Sequence, residues 1–239
     1  MRRRQGLTWV EFLVVIVVIG LVIAVLLPSI RRGPNPSKRM MCARNLKDQG
    51  MAFYVYAAGN SDKFPKSTTK LASLCEQGID ARDAIVSVAP NPALLPKMFY
   101  CPTNVAQDPA KLWTVGNVSV WGYVWLNDRG PAGAALPATF PAREPPLQYV
   151  STPNVRSVAR VVLALDVIVT DTDTPPLNYT PKGAAVNFGT NHPPVSQTPP
   201  LNYVNVLFLD GHVESVMFDP KNAVAVRQPG GGFFWFPNP

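Results

Sequence analysis

Between Phe12 and Leu27 the chain reads Phe-Leu-Val-Val-Ile-Val-Val-Ile-Gly-Leu-Val-Ile-Ala-Val-Leu-Leu, with no charge to interrupt it. With Leu7 to Val10 in front, the stretch extends to Pro28, close to the roughly 20 apolar residues that cross a bilayer as a helix. Arg2, Arg3 and Arg4 precede it. The positive-inside rule then keeps that end in the cytoplasm and places the long remainder of the chain outside. One residue departs from a plain anchor. Glu11 lies inside the apolar edge of a layer where a charge costs up to about 2.5–3.5 kcal/mol, the value at the centre of a span, and an intramembrane acid is a functional residue by default.

The leader does not read as a secretory signal, which carries small residues after its apolar core. Here Gly6 comes before the core, and Leu26-Leu27-Pro28-Ser29 follows it. The order basic leader, Gly6, Leu7, Thr8, Trp9, Val10, Glu11 and apolar helix resembles the prepilin class-III leader of type IV pilins and type II secretion pseudopilins. Gly20 and Pro28 stand where that family commonly has a glycine and a proline, whereas Leu7 replaces its usual phenylalanine. The resemblance implies cleavage after Gly6 by a prepilin peptidase and methylation of the new amine on Leu7. It also gives Glu11 a physical task. In a filament its carboxylate would neutralise the amine of a neighbouring subunit, offsetting two desolvation costs at once. The simpler alternative is an anchor helix whose Glu11 snorkels to the cytoplasmic interface.

Charge excludes little else. The formal net charge is +7, and without the three leader arginines 19 basic face 15 acidic side chains. Arg31-Arg32 and Lys38-Arg39 flank the outer membrane-proximal segment, where lipid headgroups would meet them. No basic stripe with interleaved aromatics is present, so nucleic acid is not an expected partner. Three cysteines, Cys42, Cys75 and Cys101, would face an oxidising compartment. An odd count permits one bridge and one thiol, with Cys75–Cys101 and Cys42–Cys101 both open.

Gly33, Pro34 and Pro36 predict a break or kink, and a helix restart near Ser37. From Ser37 to Ala58 the residues Met41, Leu46, Met51, Phe53, Tyr54 and Ala57 recur at three- and four-residue spacings, as on an amphipathic helix. Leu71 to Gly78 reads as a short helix closed by glycine, and Ala81 to Val88 as a helix or a strand. Val118 to Leu126 alternates Trp121, Tyr123 and Trp125 onto one face of a strand. Val158 to Thr170 is β-branched and reads as a central strand. Gly130–Pro153 and Pro175–Pro200 read as Pro-rich surface excursions. Asp210-Gly211 predicts a two-residue type I′ hairpin turn between Tyr203 and Phe218. Pairing Leu209 with His212 would put Val204, Val206, Phe208, Val213 and Met217 on one face.

The run Arg-Met-Met-Cys-Ala-Arg-Asn-Leu-Lys-Asp-Gln-Gly50 is similar to a narrower bacterial family with a prepilin leader. Its members carry a Cys-x-Asn-Asn-Leu-Lys-Gln helix and a C-terminal motif of His, spacer and Asp-Gly. Cys42, Asn45, Leu46, Lys47 and Gly50 match, while Arg44 and Asp48 do not. Phe99-Tyr-Cys-Pro102 resembles that family's Cys-Pro stretch. Its function is not established, so the likeness bears on architecture. His192, Asp210, Gly211 and His212 correspond to the C-terminal motif, although the spacer after His192 is longer here.

His192, Asp210 and His212 form the one cluster that reads as able to hold a metal, against the blander reading of a turn with a hydrogen-bonding histidine. Asp166, Asp171 and Asp173 offer oxygens of the kind calcium takes, as carboxylate-rich loops do in major pseudopilins. Lacking an EF-hand pattern, they read as a solvated loop after a strand. No nucleophile elbow, catalytic triad context or phosphate-cradling loop is found. No cofactor is expected.

The expected fold is α+β and pilin-like, a long N-terminal helix packed on an antiparallel β-sheet head. Residues 1–6 would be leader, 7–30 transmembrane helix, 31–58 kink and amphipathic half-helix, and 59–239 the head. The expected role is non-enzymatic: a structural subunit or minor component of a type IV pilus-like or type II secretion pseudopilus filament. Its partners would be the peptidase, other pilin-like subunits and the bacterial inner membrane, with the head on the periplasmic or extracellular side. The first rival is a membrane-tethered extracellular binding protein that does not polymerise. The second is a tethered metallohydrolase built on His192, Asp210 and His212.

Overall fold

A computed structural model describes residues 9–30, 36–66, 74–89, 95–104, 106–127, 150–153, 161–170, 190–191, 202–219, 223–227 and 233–236. The chain divides into two compact units, Met1–Pro36 and Ser37–Pro239. The first holds α1, Trp9–Ile30, a helix of 22 residues with Glu11 in its first turn. Its described side chains run from Trp9 to Val22, short of a full span. Among the described residues no helix is long and apolar enough to cross a membrane. The kink expected at Gly33 and Pro34 falls outside the described residues.

The second unit is mixed α+β, and its paired strands are antiparallel. It opens with α2, Pro36–Gly59. After it come β1 (Glu76–Gly78), α3 (Ile79–Val88), a 3-10 turn (Lys97–Phe99), α4 (Pro109–Leu112), β2 (Val118–Val120) and β3 (Tyr123–Trp125). Then follow β4 (Val162–Asp166), β5 (Val169–Thr170), β6 (Asn202–Phe208), β7 (Val213–Phe218), β8 (Val224–Arg227) and β9 (Phe233–Phe236). A four-stranded sheet has the order β3-β4-β6-β7, a three-stranded sheet β5-β9-β8, and β1 pairs with β2 alone.

The four-stranded sheet is buried on both faces along β3, β4 and most of β6, whereas β7 leaves Glu214, Ser215 and Met217 exposed. Trp121, Tyr123, Trp125, Leu163, Leu207 and Leu209 share one cluster with α2 residues Cys42, Leu46, Phe53 and Ala57. Val120, Val124, Leu126, Leu165, Val204, Val206 and Phe208 belong to the opposite cluster. Period-two alternation therefore sorts one strand into an aromatic layer and an aliphatic layer. A register shift between Val162 and Ala164 lets Leu163 and Ala164 both join the α2 side, as a bulge does. Phe53 stacks on Trp125 with ring centroids 4.1 Å apart and an interplanar angle of 9°. Such a pair adds about 0.5–1.5 kcal/mol beyond its buried area.

Five sequence expectations change. The face of α2 is set by Cys42, Leu46, Gln49, Phe53 and Ala57, all buried, whereas Met41 and Met51 are exposed. Spacings of four, three, four and four keep the first set on one stripe, and the methionines lie off it. The expected helix at Leu71–Gly78 is a turn at Leu74–Cys75 followed by strand β1. There Glu76 pairs with Val120 and Gly78 with Val118, so tertiary pairing overrides local propensity. Val118–Leu126 is two strands rather than one, broken at Trp121-Gly122. Of the expected central strand, β4 lies between β3 and β6, but the chain leaves the sheet at Val167 and returns as β5 in the other sheet.

The fifth change is the hairpin register. Leu207 pairs with Val213, and Phe208, not Leu209, faces His212, whose carbonyl accepts from its N–H at 3.0 Å. The turn is a three-residue loop in which only Gly211 has positive φ, 85°. Gly211 N–H donates to Phe208 C=O at 3.0 Å, giving a type I turn with a bulge glycine instead of type I′. One residue of slip moves Val213 and Met217 to the other face from Val204, Val206 and Phe208. Gly211→Val is expected to destabilise the head by about 1–3 kcal/mol, because a β-branched side chain is strained at that φ. Asp210→Asn should cost under about 1 kcal/mol, since the amide oxygen can still accept from His212 N–H. Thermal melts of the two variants check this, and equal melting temperatures would contradict the turn assignment.

Candidate functional site

The motif residues of α2 converge on the Cys-Pro segment. Cys42 Sγ lies 2.7 Å from Cys101 Sγ. Asn45 Nδ2 donates to Tyr100 C=O at 3.3 Å, and Gln49 Nε2 donates to Met98 C=O at 2.6 Å. Positions 42, 45 and 49 lie on one helical stripe, so one face of α2 satisfies the backbone of a segment that belongs to no sheet. Gln49 Oε1 also accepts from Trp125 Nε1 at 3.1 Å. Leu46 is fully buried between these polar contacts. Gly50 closes the stripe, where a Cβ would stand 2.9 Å from Leu207 Cδ2. Lys47 is exposed.

Gln49 is the residue that sequence reading overlooked. Its signal was the spacing of seven from Cys42, and a buried glutamine on an apolar stripe must find partners. The Cys42 thiol is held well above the usual range, first by its contact with Cys101 and then by burial. Tyr100, also buried, has its hydroxyl pushed up by desolvation, and that oxygen has no hydrogen-bond partner among the described residues.

Beside this seam lies a cleft of about 690 Å³. Met41, Arg44 and Asp48 line it from α2, with Lys97, Pro102 and Asn104 across from them. Arg44 and Asp48 are 3.7 Å apart. The cleft thus offers apolar walls with charges of both signs at its edge, the composition of a small binding surface.

A buried polar chain starts at Cys101. Its N–H donates to Gln107 Oε1 at 2.7 Å, and Gln107 Nε2 donates to Asn191 Oδ1 at 2.7 Å. Asn191 Nδ2 in turn donates to Gly122 C=O at 2.7 Å and to Asp166 Oδ1 at 3.4 Å. Asp166 Oδ2 accepts from Asn205 N–H at 2.9 Å and from Asn205 Nδ2 at 2.8 Å. Asp166 is 1% exposed. It is therefore not part of a solvated loop but the end of β4, where it takes the donors that two buried asparagines bring. Asp171 and Asp173 lie outside the described residues, and among the described residues no cluster of metal-binding side chains occurs.

At the hairpin tip Asp210 Oδ1 accepts from His212 N–H at 3.0 Å and lies 2.5 Å from His212 Nδ1. The His212 ring stacks on Phe208 at 4.4 Å. Burial of Asp210 acts to raise its pKa, but the His212 N–H and ring outweigh it and hold the carboxyl below its ordinary value. Turn chemistry accounts for this pair. His192 is outside the described residues, as are Gly6 and Leu7. Glu11 sits in the first turn of α1. Cys75 is buried in the cluster opposite to that of Cys42 and Cys101.

No protein-family model, no curated protein and no solved structure matches this chain.

Proposed function

We propose that this chain is a prepilin-like protein, processed after Gly6, whose apolar helix carries the α+β head into a type IV pilus-like or pseudopilus filament. The observation that carries the reading is the leader itself: Gly6, Glu11 five places later, and an uncharged run from Phe12 to Leu27. The character of α1 supports it. From Trp9 at 78% to Val15 at 48%, its large apolar side chains are exposed through Val22. A helix apolar on every side must be covered by lipid or by other apolar helices. Filament assembly supplies both in turn, first bilayer and then neighbouring subunits.

A second reading, a membrane-tethered binding protein that never polymerises, is favoured by the cleft beside α2. The two part at processing. Terminal mass spectrometry of the membrane-extracted chain is expected to find Leu7 as the methylated first residue. Intact Met1, or a cut after Leu27, would remove the pilin reading and leave the tether. Gly6→Val should block cleavage almost completely, because the peptidase subsite takes a residue without a branched side chain.

A further inference from the structure

We infer that Cys42 and Cys101 are the disulfide-forming pair of this protein, leaving Cys75 as a thiol; the pairing in the cell rests on the reading above that the head is exported. Sequence left Cys75–Cys101 and Cys42–Cys101 equally open. The fold separates them. Cys42 and Cys101 are 59 positions apart in the chain, yet their sulfurs stand 2.7 Å from each other. A disulfide bond is about 2.05 Å long, so a small side-chain movement closes the pair. Cys75 belongs to the aliphatic cluster on the other face of the sheet, while Cys42 and Cys101 share the aromatic one.

The neighbours hold this pair in register. Asn45 and Gln49, in the turns that follow Cys42, anchor Tyr100 and Met98, one and three residues before Cys101. On the far side the Cys101 N–H is tied to Gln107. The segment leading to Cys101 thus lies on α2 through two hydrogen bonds, and the Cys101 N–H is itself fixed, so a covalent bond there would add no new geometry. It would lock α2 to the Cys-Pro segment that forms the opposite wall of the cleft.

The oxidant is a protein disulfide of the exported compartment, of the thiol–disulfide oxidoreductase class. The thiolate of one cysteine attacks a sulfur of that donor, forming a mixed disulfide as the donor bond breaks. The second thiolate then displaces the donor sulfur, and the Cys42–Cys101 bond forms. The two thiol protons pass by way of solvent to the two donor sulfurs, and the donor leaves with two electrons as a dithiol. The contact with Cys101 and then burial keep the Cys42 thiol protonated, so exchange is fastest while the head is still folding.

Two arms test this on the full-length chain. In the first, membranes from the native cell are denatured and labelled with a thiol-reactive polymer, before and after reduction. Of the three cysteines, one is expected to label before reduction and three after. Peptide mapping without reductant should join the Cys42 peptide to that of Cys101. In the second, the reduced chain in detergent is unfolded and refolded in a glutathione redox buffer. The same join should form there, in Cys75→Ser as in wild type. Three labels from the cell with a Cys42–Cys101 join in vitro would support the pair while overturning export. A Cys75 join in either arm, or no join in vitro, would overturn the pair.

Discussion

Replacing Glu11 by leucine is expected to leave the chain in the membrane and to remove it, by at least an order of magnitude, from filaments released by shear. The physical argument has two parts. Insertion should be unharmed or better, because the substitution removes a charge whose transfer into the bilayer costs about 2.5–3.5 kcal/mol at the centre of a span. Assembly should fail, because cleavage after Gly6 would place a methylated amine on Leu7, at the edge of the same apolar layer. Without a carboxylate nearby, each incorporated subunit would carry an uncompensated cation in a low-dielectric bundle. Removing one partner of such a pair costs about 3–5 kcal/mol. A change of 1.4 kcal/mol is tenfold in an equilibrium constant, so a tenfold loss is a conservative reading. Glu11→Asp is the control: it keeps the charge and should retain a measurable share of incorporation. Fractionation of membranes and sheared filaments, with processing followed in parallel, checks the result. Equal incorporation of wild type and the leucine variant would refute the pairing.

The second large effect lies in the head. Gly122→Ala is expected to lower its stability by about 2–4 kcal/mol, since overpacking a buried site costs this much when its surroundings cannot yield. A Cβ at residue 122 would collide with Gln107 Oε1 and stand 3.0 Å from the Tyr100 Cα. Neither can give way easily. Gln107 is held by the Cys101 N–H, by Asn191 and by the Gly122 carbonyl itself, and Tyr100 is contacted from α2 by Asn45. For a domain of this size the loss amounts to a drop of roughly 5–15 °C in melting temperature. Gly59→Ala, where an added Cβ meets nothing within 4 Å, should stay within about 0.5 kcal/mol. Combining Gly122→Ala with Gln107→Ala should cost less than the sum of the single changes, because the first collision is already gone. Additive losses, or a Gly122→Ala protein that melts like wild type, would contradict the close approach.

Short-range signals and tertiary ones divide along physical lines. The helical character of Trp9–Ile30 and of α2 was legible because it rests on patterns within a few turns. The alternation of Trp121, Tyr123 and Trp125 was legible for the same reason, with period two. The buried face of α2 was not, since Met41 and Met51 fit the spacing and are exposed. The hairpin was legible as a hairpin, but its slip by one residue was not. Asp-Gly suits both a two-residue type I′ turn and a type I turn with a bulge glycine. The choice is made by β6, which buries Val204, Val206 and Phe208 on one face and Leu207 and Leu209 on the other. A strand covered on both sides gives no alternation from which to read its register.

By itself the sequence determined the apolar helix at the front with Glu11 in its first turn, the helix that restarts near Ser37, and the strand character of the aromatic run. Those properties depend on neighbours three or four positions away, which any reading of the chain contains. Tertiary structure alone decided that Glu76–Gly78 becomes a strand by pairing with Val118–Val120. It also turned Asp166 from a loop acid into a buried acceptor for Asn205 and Asn191. It brought Cys42 to Cys101 rather than to Cys75. Each of these joins residues 25 or more positions apart, and no local pattern records which distant donor, strand or sulfur will arrive.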